Sequence, residues 1–291
     1  MQDKSKRFNK IYVEISNVCN LSCSFCPKLK RAKRIMTPDE FTHVCDSIRP
    51  YTDYIYLHLM GEPLCHPHFE ELLVIAKAHQ FRVCITTNGT LLSKSSDVIL
   101  KYADTIHKVS ISLHCIEGND IEGRLSEYMD GVISFSKLSA QAGIYTVLRL
   151  WNLDTEDRSG ANSQNEYIEK CLHYSFPSDW KKRWNGYGVA NRIFLEYAGI
   201  FTWPDESQAE QRTQGTCHGL GDQIGILADG TVVPCCLDSE GNVPLGNIFD
   251  QSLEQILSTD RAVSMIEGFK CGEMREALCQ KCSYAHRFTK P

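Results

Sequence analysis

A chain of 291 residues, 42% of them hydrophobic, is long enough to bury one large α/β core with a smaller appendage. No apolar run approaches the roughly 20 residues of a membrane span, and a net charge of −5 with mixed signs gives no electrostatic footprint for nucleic acid. Fourteen cysteines behind a polar start (Met1-Gln2-Asp3-Lys4-Ser5-Lys6-Arg7) that does not read as a signal peptide point to the cytoplasm, where thiols bind metal more often than they form disulfides.

In chain order, Ile11-Tyr12-Val13-Glu14-Ile15 predicts a first strand. Cys19, Cys23 and Cys26 follow it, spaced C-x3-C-x2-C. Five basic residues then crowd Lys28 to Arg34, read as a solvated loop or as an active-site lip that attracts an anion. Thr37-Pro38-Asp39-Glu40 is a capping box that opens a helix to about Arg49, stopped by Pro50. Strands are expected over Asp53–Met60, Arg82–Thr87, His107–His114, Tyr145–Trp151 and Arg192–Tyr197. Helices are expected over Phe69–His79, Leu92–Tyr102, Tyr128–Ala142 and Gln164–His173.

Asp154 to Gly188 is polar and irregular, with Trp180-Lys181-Lys182-Arg183-Trp184 read as a structured surface insertion or as a substrate contact. Phe201 to Gly215 is a linker. Beyond it, Asp229-Gly230 between two apolar runs predicts a hairpin, and Leu253–Ile266 one amphipathic helix. Strands alternating with helices predict a parallel sheet of right-handed βαβ units. Six such units fall short of the eight of a closed barrel. The expected boundaries are 1–200 for this α/β barrel-like part, 201–216 for the linker and 217–291 for a small hairpin and helix module.

Thiolates are the usual ligands of iron–sulfur clusters, and a [4Fe–4S] cube needs about four. Three cysteines in one loop leave one iron open to a small molecule. A zinc site is the alternative, although it usually closes with a second cysteine or histidine pair. C-x3-C-x2-C with Phe25 before the last cysteine resembles the signature of radical S-adenosylmethionine (SAM) enzymes. That resemblance implies a partial (β/α)6 TIM-like barrel with SAM chelated on the open iron. Reductive cleavage would give a 5′-deoxyadenosyl radical that abstracts hydrogen from a substrate. An external one-electron donor such as flavodoxin or ferredoxin is implied as a partner. Met60-Gly61-Glu62-Pro63 resembles the family's GGE segment, with Met60 in place of a glycine. Glu62 would then accept from the SAM amino group. Asn88-Gly89-Thr90 resembles the TNG segment, although Asn-Gly also makes a plain turn. By the same resemblance Phe25 borders the adenine. Ser112 and Arg149 would contact the SAM ribose or carboxylate, or Arg149 would only cover the barrel rim.

Cys217, Gly230 and Cys235, spaced C-x12-G-x4-C, together with Cys279 and Cys282, resemble the SPASM domain, and more closely its shorter Twitch form with one auxiliary [4Fe–4S] cluster. Structural zinc on the same four thiols is the alternative. Cys236 is read as a spare thiol, a hydrogen-atom donor or a buried hydrophobe. Cys271 has no assigned role, and Cys45, Cys65, Cys84, Cys115 and Cys171 read as core. The expected substrate is a peptide or a small molecule. A chain starting this close to its first strand leaves no room for an N-terminal peptide-recognition domain. An RNA-modifying enzyme, resting on the two basic stretches, and a non-catalytic metal-binding interaction protein are the alternatives.

Overall fold

A computed structural model of the chain describes residues 7–116, 124–153, 163–209 and 212–288. Residues 1–6 of the polar start and 154–162 of the insertion lie outside them. Among the described residues no helix is long and apolar enough to cross a membrane.

The first five strands are β1 (Lys10–Val13), β2 (Tyr54–Tyr56), β3 (Arg82–Thr87), β4 (Ile106–Ser112) and β5 (Tyr145–Leu153). A hairpin of β6 (Lys181–Arg183) and β7 (Gly186–Ala190) precedes β8 (Ile193–Gly199). β1 to β5 and β8 lie side by side, all parallel, and form the expected six-stranded arc. The arc does not close into a barrel. Its connections are α1 (Pro38–Ile48), α2 (Phe69–Ala78), α3 (Leu92–Lys101), α4 (Leu125–Gln141) and α5 (Ser163–Ser175).

The period-two alternation of the strands sorts the two faces. Ile11, Val13, Ile55, Val83, Val109 and Ile111 are fully buried and share the helix-side core with Phe41, Ile48, Leu72 and Phe135. Tyr12, Tyr56, Lys108 and Arg149 alternate with them and line a cavity. The start of α1 is fixed locally: Thr37 Oγ1 accepts from Glu40 N–H at 3.2 Å and the Glu40 carboxylate accepts from Thr37 N–H at 2.8 Å.

The C-terminal part joins the same sheet. β9 (Gln223–Ile226) runs parallel to β1, with Lys10 opposite Gln223 and Val13 opposite Ile226. β10 (Thr231–Val233) pairs antiparallel to β9, and the short β11 (Gly246–Asn247) follows. Gly230 turns the hairpin at φ +86°, where a Cβ would lie 2.4 Å from the Phe249 ring. The sheet thus has eleven strands, with the hairpin on the β1 edge and β6 on the other.

Three expectations need correction. β2 ends at Tyr56 rather than Met60, because Met60 N–H donates to Glu14 and Glu62 N–H to Val18 O. Beyond Leu57 the backbone bonds the base of the cysteine loop instead of a strand. The single helix over Leu253–Ile266 is two, α6 (Leu253–Leu257) and α7 (Asp260–Cys271). Thr259 between them is extended and its hydroxyl caps α7, and a cap residue is not helical. The insertion is regular where described, in α5 and the hairpin. Trp180 stacks on His173 at 3.7 Å, whereas Trp184 is 99% exposed. A short α8 (Ala277–Gln280) precedes the last cysteine.

Candidate active site

The three loop cysteines and Cys217, Cys235, Cys279 and Cys282 line one cavity of about 900 Å³ on the concave side of the sheet. Phe25, Gly61, Glu62, Asn88, Ser112, Arg149 and Cys236 line it too.

The loop that carries Cys19, Cys23 and Cys26 leaves β1 and is held from three sides. Gly61, at φ +76°, lies against its base: a Cβ there would be 2.3 Å from Ser16 O and 2.9 Å from Val18 O. Gly61 thus lets the base of the cysteine loop approach its backbone closely. Asn88 Nδ2 donates to Asn20 Oδ1 at 3.0 Å, and Asn20 Nδ2 to Thr90 Oγ1 at 2.9 Å. The Asn-Gly turn after β3 is thus tied to the cysteines. Cys19 Sγ accepts from Leu21 N–H at 3.4 Å. Burial raises the Cys19 thiol, and a hydrogen bond to Cys23 together with burial raises that of Cys26. Bound cationic iron would reverse that preference.

Glu62 is 2% exposed. Its carboxylate accepts from Asn88 N–H at 2.7 Å and from Leu64 N–H at 3.1 Å. Burial still pushes its pKa up to about 7. The Phe25 ring lies 4.9 Å from that of His114. Ser112 stands in register with Arg149 across β4 and β5. The Arg149 guanidinium lies 4.5 Å over Trp151, and its chief charged and phenolic neighbours are Glu196, Tyr12, Tyr56 and Tyr284, none on the cysteine loop.

The C-terminal thiols face one another. Cys235 is influenced by Cys217 and Cys279, and Cys279 by Cys217 and Cys282. Burial raises all four. Gly219 N–H donates to Cys217 Sγ at 3.4 Å. The Cys236 sulfur is hydrogen-bonded to the Tyr12 hydroxyl, while Cys271 is exposed at the end of α7.

Two cysteines read as core border the loop: Cys115 is buried as expected, and Cys65 is only half-buried. Cys115 is hydrogen-bonded to Cys23, and Cys65 lies near Cys19 and Glu62. The available signal was position: Cys115 follows the end of β4 by three residues, and Cys65 lies three residues after Glu62. The basic stretch divides in three dimensions. Arg31 clasps buried Glu14 with two bonds of 2.7 and 2.5 Å, and its Nε donates to Ser239 O at 2.6 Å. Arg34 bonds Glu40 at 2.5 Å and Ala228 O at 2.8 Å. Arg31 is a largely buried brace, Arg34 braces from the surface, and Lys28, Lys30 and Lys33 are exposed, as the solvated reading expects.

A family model described as the radical SAM superfamily matches residues 13–138, and one described as an iron–sulfur cluster-binding domain (SPASM) matches residues 217–283. The chain thus carries a radical SAM domain followed by a SPASM domain. Over 87 residues the chain is 34% identical to the tungsten-containing aldehyde ferredoxin oxidoreductase cofactor-modifying protein of Pyrococcus furiosus, covering 28% of this chain and 24% of that one. It thus spans about a quarter of the length of that relative. It is 22% identical over 295 residues to the sporulation killing factor maturation protein SkfB of Bacillus subtilis, covering 92% of this chain and 68% of that one. The crystal structure of BtrN in complex with AdoMet and 2-DOIA shares the fold at a TM-score of 0.60 and 18% identity, covering 96% of this chain and 94% of that one. The thiol counts are those such clusters need, three leaving an iron position open and four closing a cube; both sets line the cavity, and among the described residues no three Cys, His, Asp or Glu side chains are grouped tightly enough to hold a single metal ion.

Proposed function

We propose that the chain reductively cleaves SAM and abstracts hydrogen from a substrate held between two iron–sulfur clusters. The observation that carries this is the opening of both thiol sets onto one cavity of about 900 Å³. Cys19, Cys23 and Cys26 hold the first [4Fe–4S] cluster. Phe25, Gly61, Glu62, Asn88 and Ser112 border SAM, with Glu62 taking its amino group. Cys217, Cys235, Cys279 and Cys282 hold the second cluster. Bound there, cluster and SAM supply a carbon radical strong enough to take hydrogen from an unreactive C–H bond. The chain contributes position, the cavity and cysteine ligands.

The substrate is a peptide or a small molecule. SkfB is named for maturation of a killing factor, and BtrN is bound to 2-DOIA, so relatives that match most of this chain support both. A flavodoxin or ferredoxin supplies the electron, and the cytoplasm is the compartment in which both would meet.

Anaerobic reconstitution should load about eight irons per chain, two cubes of four. SAM and a strong reductant should then yield 5′-deoxyadenosine, and Cys23→Ala none. About four irons would remove the second cluster, and a fully loaded protein that makes no 5′-deoxyadenosine would remove the reaction.

A further inference from the structure

The floor of the cavity is built from strand positions that face away from the helices. β1 supplies Lys10 and Tyr12, β2 Tyr56 with His58 two residues beyond its end, β4 Lys108, and β5 Arg149. Lys10 Nζ lies 5.4 Å from the ring centres of both Tyr12 and Tyr56. Lys108 Nζ lies 5.2 Å from the Tyr56 ring and donates to its hydroxyl at 3.4 Å. Three cations therefore share one space, held against aromatic faces.

No carboxylate pairs with them. Among the described residues, Lys10, Lys108 and Arg149 make no ion pair. Glu196, across the ladder from Arg149, is the acid whose charge Arg149 and Lys108 feel. The other carboxylates at the cavity are engaged elsewhere. Glu62 accepts from Asn88 and Leu64, Asp222 is bonded to His218, and Asp238 accepts from the N–H groups of Asn242 and Val243. Three buried nitrogens in this space, Arg149 Nε, Trp151 Nε1 and His58 Nδ1, have no partner. Burial, then Arg149, Lys108 and Lys10, push the pKa of His58 down to about 3, and burial with the same cations lowers that of Lys108.

Cations withdrawn from water without a counter-charge oppose folding, and a protein retains them where a ligand supplies the charge. We propose that Lys10, Lys108 and Arg149 form the seat of a substrate oxyanion, a carboxylate or a phosphate, and so select the C–H bond presented to the cysteine loop. The anion seat stands on the geometry alone, whereas its role in selecting a bond rests on the proposed reaction. It also gives Arg149 a use other than the SAM carboxylate.

Titration calorimetry of inorganic phosphate, and separately of succinate, into the reconstituted, SAM-loaded protein without reductant tests the seat. The expected result is one site per chain, weakened about tenfold by Lys108→Met and again by Lys10→Met, at unchanged iron content. Binding of only one anion tells phosphate from carboxylate. Because Lys108 is half-buried with no ion-pair partner among the described residues, Lys108→Met should raise the melting temperature of the anion-free protein and blunt the further rise that the anion gives the wild type. If neither anion binds, or if the Lys10→Met/Lys108→Met variant binds as well as the wild type, the seat is overturned even where 5′-deoxyadenosine forms. Binding without 5′-deoxyadenosine leaves the seat standing and removes the reaction.

Discussion

Gly61 sets the height of the cysteine loop by having no side chain. Its φ of +76° and the 2.3 Å that would separate a Cβ from Ser16 O leave no route for even a methyl group except to push the loop outward. Glu62, one residue on, is fixed by the same turn, so the displacement would move its carboxylate as well. Gly61→Ala is expected to cost at least about 2 kcal/mol of stability. It should also lower iron loading at the loop, while four irons' worth of the second cluster remains. Denaturant midpoints and iron analysis check both, and full loading of both clusters would show that the loop tolerates the shift.

At the scale of elements, the Glu14–Arg31 pair joins three segments. The Glu14 carboxylate, fully buried, takes two bonds from Arg31 and one each from Met60 and Ala228 N–H at 3.2 Å. It thereby links β1, the strand end that carries Glu62, and the hairpin turn. Glu14→Gln strands the Arg31 charge and should lower stability by about 3–5 kcal/mol, with Glu14→Gln/Arg31→Met less than the sum of the two single changes. Urea unfolding of the four proteins checks it. None of this was legible along the chain, because the partners of Arg31 in the C-terminal part lie 208 and 209 residues away. What was legible is local: the Thr37 capping box, the C-x3-C-x2-C spacing and the Asp229-Gly230 turn each fit within a few residues. The cationic floor was not, since each strand supplies one or two of its residues and only register brings them together.

The whole molecule is one sheet, not a barrel with a detachable lid. β9 covers β1 along four residue pairs from Lys10 to Val13, and Ile224 and Ile226 belong to the same buried cluster as Ile11 and Val13. Truncation after Gln214 would make β1 an exposed, apolar edge and remove the Ala228 bond to Glu14. The 1–214 fragment is therefore expected to aggregate instead of folding as a smaller protein with one cluster. Size-exclusion chromatography of that fragment decides the matter, and a monodisperse, iron-loaded peak would contradict the expectation.

The seam between β1 and β9 also has a temporal side. The strand that launches the cysteine loop finds one of its two neighbours only when residues 223–226 have been made. Partners so far apart in sequence pair slowly. Iron loading at Cys19, Cys23 and Cys26 is therefore expected to lag behind the pairing of β1 with β9.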